Sequence, residues 1–207
     1  MNLSLTVLFV ILAVGASFYA WYYDTSAQQK WAMNPYQVNR RNEYWRFLTS
    51  GFIHADIGHL AFNMISLYSF GQMVEGIFHQ ISANGGALFA LLYLGGIIVS
   101  DLPTYFKHRN DPYYNSIGAS GGVSSVIFSG IMFAPLTELY LFFIPIPIPG
   151  WIFGGLYLAY SYWEARRGAG YINHSAHLWG ALYGIVFTIA TYPPVIELFV
   201  QQIAGRF

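Results

Sequence analysis

From Leu3 to Tyr23 the chain runs about 20 residues without one charged side chain, the length needed to cross the hydrocarbon core of a bilayer. Lipid offers no partner for a backbone amide, so such a stretch must close its hydrogen bonds internally, as a helix. A secretory signal peptide is a poor match, because the basic n-region is missing and the apolar stretch is too long for an h-region. Further apolar runs follow at His59 to about Phe78, Ala87 to Ser100, Ile117 to Phe133, Trp151 to Trp163, and Ala176 to about Phe199. The pattern predicts an all-α membrane protein with six transmembrane helices, in one polytopic domain spanning residues 1–207. Composition agrees: only 9% of residues are charged, against about 25% in soluble domains. A formal net charge of zero argues against a broad basic footprint for nucleic acid, and the absence of cysteine excludes thiolate metal sites and cysteine nucleophiles.

The connections carry the remaining polarity. Asp24 to Asp56 holds Lys30, Arg40, Arg41, Glu43 and Arg46, interleaved with Trp31, Tyr36, Tyr44 and Trp45. Aromatics in that company favour the membrane–water interface, so this first loop is expected to lie among lipid headgroups. Asp101 to Asn115 reads as a polar loop. Pro145-Ile146-Pro147-Ile148-Pro149 cannot be helical, because each proline restricts the residue before it, and an extended connection is expected there. Pro193-Pro194 should kink or end the sixth span. No internal repeat relates the two halves. With no polar extension before Leu3 or after Arg206, the expectation is a minimal core governed by lipid, gating or substrate supply.

Polar side chains within spans are costly and tend to face a cavity or one another. The stretch Ile117-Gly118-Ala119-Ser120-Gly121-Gly122 sets one serine among three glycines. Small residues there suit helix packing. They also leave backbone amides open beside Ser120. His59 and Asn63 are four apart and share a helix face. His177 opens the sixth span beside Gly180 and Gly184, whose spacing would permit close approach to the fourth span. Singly, each histidine reads more readily as a packed, hydrogen-bonded structural group, and Asn63 as interhelical glue. Together they offer a hydroxyl nucleophile, an imidazole base and neutral donors for an oxyanion. The nearest acids to His177 are Glu164, on a polar loop, and Glu197, far along the sixth span, so a Ser–His dyad is the economical reading.

With these residues in place, the sequence resembles the rhomboid family of intramembrane serine proteases, over a core of about residues 45–190. Trp45-Arg46 matches the family's first-loop signature. His54, His59 and Asn63 match its His-x4-His-x3-Asn, and Glu75 the glutamate near the end of the second helix. Gly118-Ala119-Ser120-Gly121 matches Gly-x-Ser-Gly, and Ala176-His177-Leu178-Trp179-Gly180 the Ala-His-x-x-Gly of the last core helix. The resemblance implies that Ser120 is the nucleophile and His177 its general base. It implies an oxyanion site of His59, Asn63 and the Ser120 N–H. Trp45, Arg46, His54, Glu75, Gly118, Gly121 and Gly180 become structural supports, with Arg46, His54 and Glu75 fixing the first loop at its junction with the second helix. Arg166 to Gly170 becomes a cap over the site and the fifth span a lateral gate. The implied partners are transmembrane protein substrates and membrane lipid, with no cofactor and no metal.

Two departures stand out. Some family members carry an aromatic residue four positions after the nucleophile that packs on the catalytic imidazole; here that position is Ser124. Orientation is the second. Lys30, Arg40, Arg41, Arg46, Lys107, Arg109, Arg166 and Arg167 all fall on the loops of the active-site side, and only Arg206 lies opposite. The positive-inside rule would place that side in the cytoplasm, whereas the resemblance to bacterial members places it outside the cytoplasm, in an inner membrane. The alternatives are a catalytically inactive relative that binds transmembrane clients, and a small channel or transporter. The first ordinarily lacks the serine or the histidine, and the second would show paired half-sequences and broken-helix sites.

Overall fold

The N-terminal apolar stretch folds as α1 (Leu5–Tyr22), opened by Ser4, whose hydroxyl accepts a hydrogen bond from the Val7 amide at 3.3 Å. The structure is a computed structural model and describes residues 4–141, 144–167 and 173–206. Along α1, Phe9, Ala13, Ser17 and Ala20 recur every three or four positions and are buried, while Ile11, Leu12, Phe18, Tyr19 and Tyr22 stay exposed. An exposed face of that kind has lipid as its natural solvent.

The first loop is not extended. It holds three short helices, α2 (Ser26–Trp31), α3 (Pro35–Arg41) and α4 (Arg46–Thr49), then a 3-10 turn at Ser50–Phe52. Asn34 caps α3 by accepting from the Gln37 amide, and Asn42 closes it in the left-handed conformation that asparagine tolerates. Asp56 then caps α5 (Ile57–Ile81) through the His59 amide at 2.8 Å.

Helix α6 (Gly85–His108) corrects the sequence reading: the turns expected as the loop from Asp101 onward are helical, straight through Pro103. Lys107 and Arg109 at its far end stay exposed, but the polar side chains around Asp101 are buried. Ser100, Asp101 and Thr104 face inward, and Thr104 accepts from Asn173 at 3.0 Å. Helix α7 (Ser120–Phe133) is short and lies between α5, α6 and α9 (His174–Thr191), with ten of its residues buried. Surrounded by protein, it needs neither the length nor the uniform apolarity of a lipid-facing span.

After α7, Glu138–Leu141 (β1) and Ile144–Pro149 (β2) pair as an antiparallel hairpin, with Leu139 opposite Ile148. This is the extended segment expected from the proline alternation. Prolines at every second residue share one strand edge, which therefore lacks amides. Helix α8 (Gly150–Arg167) is longer than the expected fifth span. Helix α9 ends at Thr191, and α10 (Val195–Ala204) leaves it at 109°, because Pro193 and Pro194 cannot donate to the preceding turn. Among the described helices α1 and α6 are long and apolar enough to cross a membrane alone, and the bent pair α9–α10 qualifies taken as one span.

Close backbone packing joins α7 to α9. A methyl group on Gly180 would collide with the backbone of Gly121, 2.9 Å from its Cα, and one on Gly184 would stand 2.8 Å from the Ser125 carbonyl carbon. Both contacts advance by four residues, so the helices run parallel with their N-termini on the same side.

Glu75 lies near the end of the second helix, α5, as its motif has it, but its contacts do not serve the expected role of fixing the first-loop junction: it caps α1. Its carboxylate accepts from the Leu5 amide (2.8 Å), the Thr6 amide (2.9 Å) and the Thr6 hydroxyl (2.7 Å), and it is 5% exposed. Unpaired amides at a helix N-terminus favour a negative charge. Glu75→Gln should therefore lower stability by about 1–2 kcal/mol, read as a lower unfolding midpoint in detergent. An unchanged midpoint would remove the cap from the account.

Candidate active site

Ser120 is the first residue of α7, so its N–H belongs to the turn that has no intrahelical acceptor. The chain reaches it through a turn that the first loop holds in place. Met33 and Ser116 exchange backbone hydrogen bonds at 2.9 and 3.0 Å, and the Gly118 amide donates to the Ser50 carbonyl at 2.9 Å. The Ala119 amide donates to Nε2 of His54 at 3.4 Å. Gly118 has φ of +121°, a conformation that L side chains rarely adopt. A Cβ there would also strike the His59 ring, 2.7 Å from its Nε2. Glycine at 118 is thus required twice, by its backbone angle and by the imidazole beside it.

His54 is fully buried, and its hydrogen bonds select its tautomer. Nε2 accepts from Ala119, so Nδ1 carries the hydrogen and faces the Ser17 hydroxyl at 3.0 Å. Burial, reinforced by the nearby His59, pushes the His54 imidazole down to about 3, with Asp56 opposing weakly. Arg46 is buried too. Its guanidinium donates to Glu43 (2.6 Å) and to the carbonyls of Gln29 (3.0 Å) and Ala32 (2.8 Å), tying α2 to α4. Trp45 is a correction: its indole is 54% exposed, and its backbone carbonyl, accepting from Leu48 and Thr49, is what supports the loop.

His59 packs edge-to-face against His54 at 5.0 Å. Asn63 is buried one turn further, and one of its two amide hydrogens goes to the His59 carbonyl at 2.9 Å. His177 stands one turn before Gly180, so the Gly180–Gly121 contact brings it level with the Gly118–Ala119 turn just ahead of α7. A small recess of about 20 Å³ lies beside Ser120, lined by Gly118, Gly121, Ser100, Asp101, Asn173 and Ala176 among others. The His59 ring therefore lies against Gly118 just before Ser120, with Asn63 one turn further along α5 and His177 on the adjoining helix. Neither Trp179 nor Tyr183 serves that imidazole. Trp179 is 43% exposed, and the Tyr183 hydroxyl donates to the Leu91 carbonyl at 3.0 Å.

Three neighbours escape the sequence reading. The Tyr157 ring of α8 lies nearly parallel to His177, with centroids 6.2 Å apart and planes 16° off. His174 meets His177 edge-on at 5.7 Å. Asn173 caps α9 through the Ala176 amide and ties it to Thr104. The three-residue spacing of His174 and His177 was visible as a shared helix face. Tyr157 left no local signal, because its partners lie on other helices. Of the expected cap, Arg166 and Arg167 end α8, stacked on Tyr162 and Trp163; Gly168 to Gly170 lie outside the described residues.

Comparison with known proteins gives a consistent picture. The family profile described as "Rhomboid domain" matches residues 41–194. The chain is 29% identical to RHOMBOID-like protein 12, mitochondrial, of Arabidopsis thaliana over 84% of this chain and 55% of that protein. It is 28% identical to the human presenilin-associated rhomboid-like protein, mitochondrial, over 67% of this chain and 35% of that protein. The putative rhomboid protease YdcA of Bacillus subtilis is 35% identical over 39% of this chain and 37% of its own length. The chain thus spans between about a third and about half the length of these relatives.

The buried His54 gives a pH dependence of known sign. Its folded-state value lies below the ordinary one, so between pH 6.5 and about 3 the unfolded chain binds the proton that the folded one refuses. Stability should fall as pH drops through that window, by up to about 1.4 kcal/mol per pH unit. Thermal unfolding from pH 7 to 4 should slope more steeply for the parent than for His54→Gln; equal slopes would assign the acid sensitivity elsewhere.

Proposed function

The chain belongs to the rhomboid family, and from that premise we propose that it is an intramembrane serine protease acting through a Ser120–His177 dyad on transmembrane segments of other proteins. The reading rests above all on the backbone contact between Gly180 and Gly121, which sets the start of α9 beside the start of α7. Ser120 Oγ attacks the scissile carbonyl while His177 takes its proton. The oxyanion forms against the Ser120 N–H, His59 and Asn63, and His177 returns the proton to the leaving amine. Water then cleaves the acyl-enzyme by the same steps. No ionised third member is needed: the ring neighbours of His177 are Tyr157 and His174, and a buried carboxylate in lipid would be costly.

Helices α1, α5, α6, α7, α8 and α9 are the six spans in this reading, within a single polytopic domain. Helix α10 lies along the membrane surface, where Glu197, Gln201 and Gln202 face polar groups. The membrane is a bacterial inner membrane, with the site opening away from the cytoplasm, against the Lys and Arg bias of its loops. The substrates are transmembrane segments that unwind near their membrane entry, and no cofactor takes part.

Purified parent protein should react with a fluorophosphonate and cleave a model transmembrane substrate. Ser120→Ala and His177→Ala should each lose roughly 10³-fold or more, with the double variant no worse than either single one. Labelling of Ser120→Ala at the parent's level would end the assignment of Ser120 as nucleophile.

A further inference from the structure

The imidazole of His177 needs a surface that keeps it aimed at Ser120, and the position that supplies one in some relatives is Ser124, whose side chain has no ring. Tyr157 occupies that space from a different helix. Its ring is nearly parallel to His177 at 6.2 Å, within the range in which offset aromatic pairs attract. Its hydroxyl is hydrogen-bonded to Ser124 Oγ at 3.0 Å. Phe128 and Phe153 hold the remaining sides of the ring, at 5.6 and 5.7 Å. Ser124 is 3% exposed, so the bond between the two hydroxyls is shielded from water and keeps its geometry. One turn along, Tyr160 meets His174 edge-on at 5.4 Å, and His174 meets His177. Two tyrosines three apart on α8 therefore interlock with two histidines three apart on α9.

We propose that Tyr157 is the positioning residue for His177, with its ring as the platform and Ser124 as the anchor that orients the ring. The inference rests on the dyad reading above. It follows that the platform travels with α8: any displacement of α8 from α9 removes the stack from His177, so proton transfer is coupled to the seating of α8.

The test uses the full chain in detergent or liposomes with a transmembrane substrate and a fluorophosphonate. Tyr157→Leu, which removes the flat ring, should lower kcat and the labelling rate by about 10- to 100-fold while KM stays within about twofold. Tyr157→Phe and Ser124→Ala keep the ring but release its anchor, and each should lower kcat by about three- to tenfold, less than Tyr157→Leu. The double variant should be no worse than either single one, because both remove the same bond. Should Tyr157→Leu fail to fold, Tyr157→Met offers similar volume without a planar face and carries the same expectation. Parent-like kcat and labelling in the folded Leu or Met variant overturn the inference alone, as does a loss confined to KM, which would make Tyr157 a substrate contact. A Tyr157→Phe variant as impaired as Tyr157→Leu overturns the ring's role. A parent labelled no better than Ser120→Ala overturns the dyad reading and this inference with it.

Discussion

The contact of α9 with α7, backbone on backbone, is the constraint from which the rest of the site follows. Gly180 lies against Gly121 and Gly184 against Ser125, with no side chain between them. The register of those contacts sets Ser120 level with Trp179, so His177, two residues earlier on α9, is displaced from it by only about 3 Å along the axis. In lipid there is no hydrophobic drive to press helices together, so small residues and the dispersion they allow must do it. The same residues satisfy a second demand. Ser125 donates to the Leu92 and Gly122 carbonyls, and Thr188 bonds Ser129, so the polar atoms in the seam are paired rather than buried alone.

The approach of the chain to Ser120 is set from another direction. Met33, Ser50 and His54, all in or beside the first loop, take the backbone groups of Ser116, Gly118 and Ala119. That loop in turn is tied by the buried Arg46 to the carbonyls of Gln29 and Ala32. A loop expected to rest among headgroups therefore acts as the clamp on the turn before Ser120. It fixes the Gly118 conformation and, through it, the space for the His59 ring.

Parts of this were legible in the sequence and parts were not. The bend after Thr191 follows from two prolines, whereas the helix starts capped by Asn34 and Asp56 fall in the stretch read as loop. Asp101 misled, because a charge in a span usually ends it; here the buried face of α6 receives it beside Ser50 and Asn173, and the helix continues. Glu75 matched a family pattern, yet its partners are the amides of Leu5 and Thr6, about 70 residues away in the chain. Tyr157 had no pattern at all, since a ring on one face of α8 is indistinguishable from its aromatic neighbours until α9 is laid against it.

The amino-acid sequence by itself determined the solvent, the helical class and the residue types able to do acyl transfer. Long uncharged runs admit only helices in lipid, and Gly118, Ser120, His59, Asn63 and His177 are recognisable from type and spacing. Which of them meet, and what aims them, was decided only by the tertiary structure. Spacing along a helix fixes neighbours three and four residues apart, such as His174 and His177, but the ring stacked on His177 comes from α8, the partner of Ala119 from the first loop, and those of Glu75 from α1. Contacts between helices depend on rotation and depth of approach, which are set jointly by all the surfaces that pack.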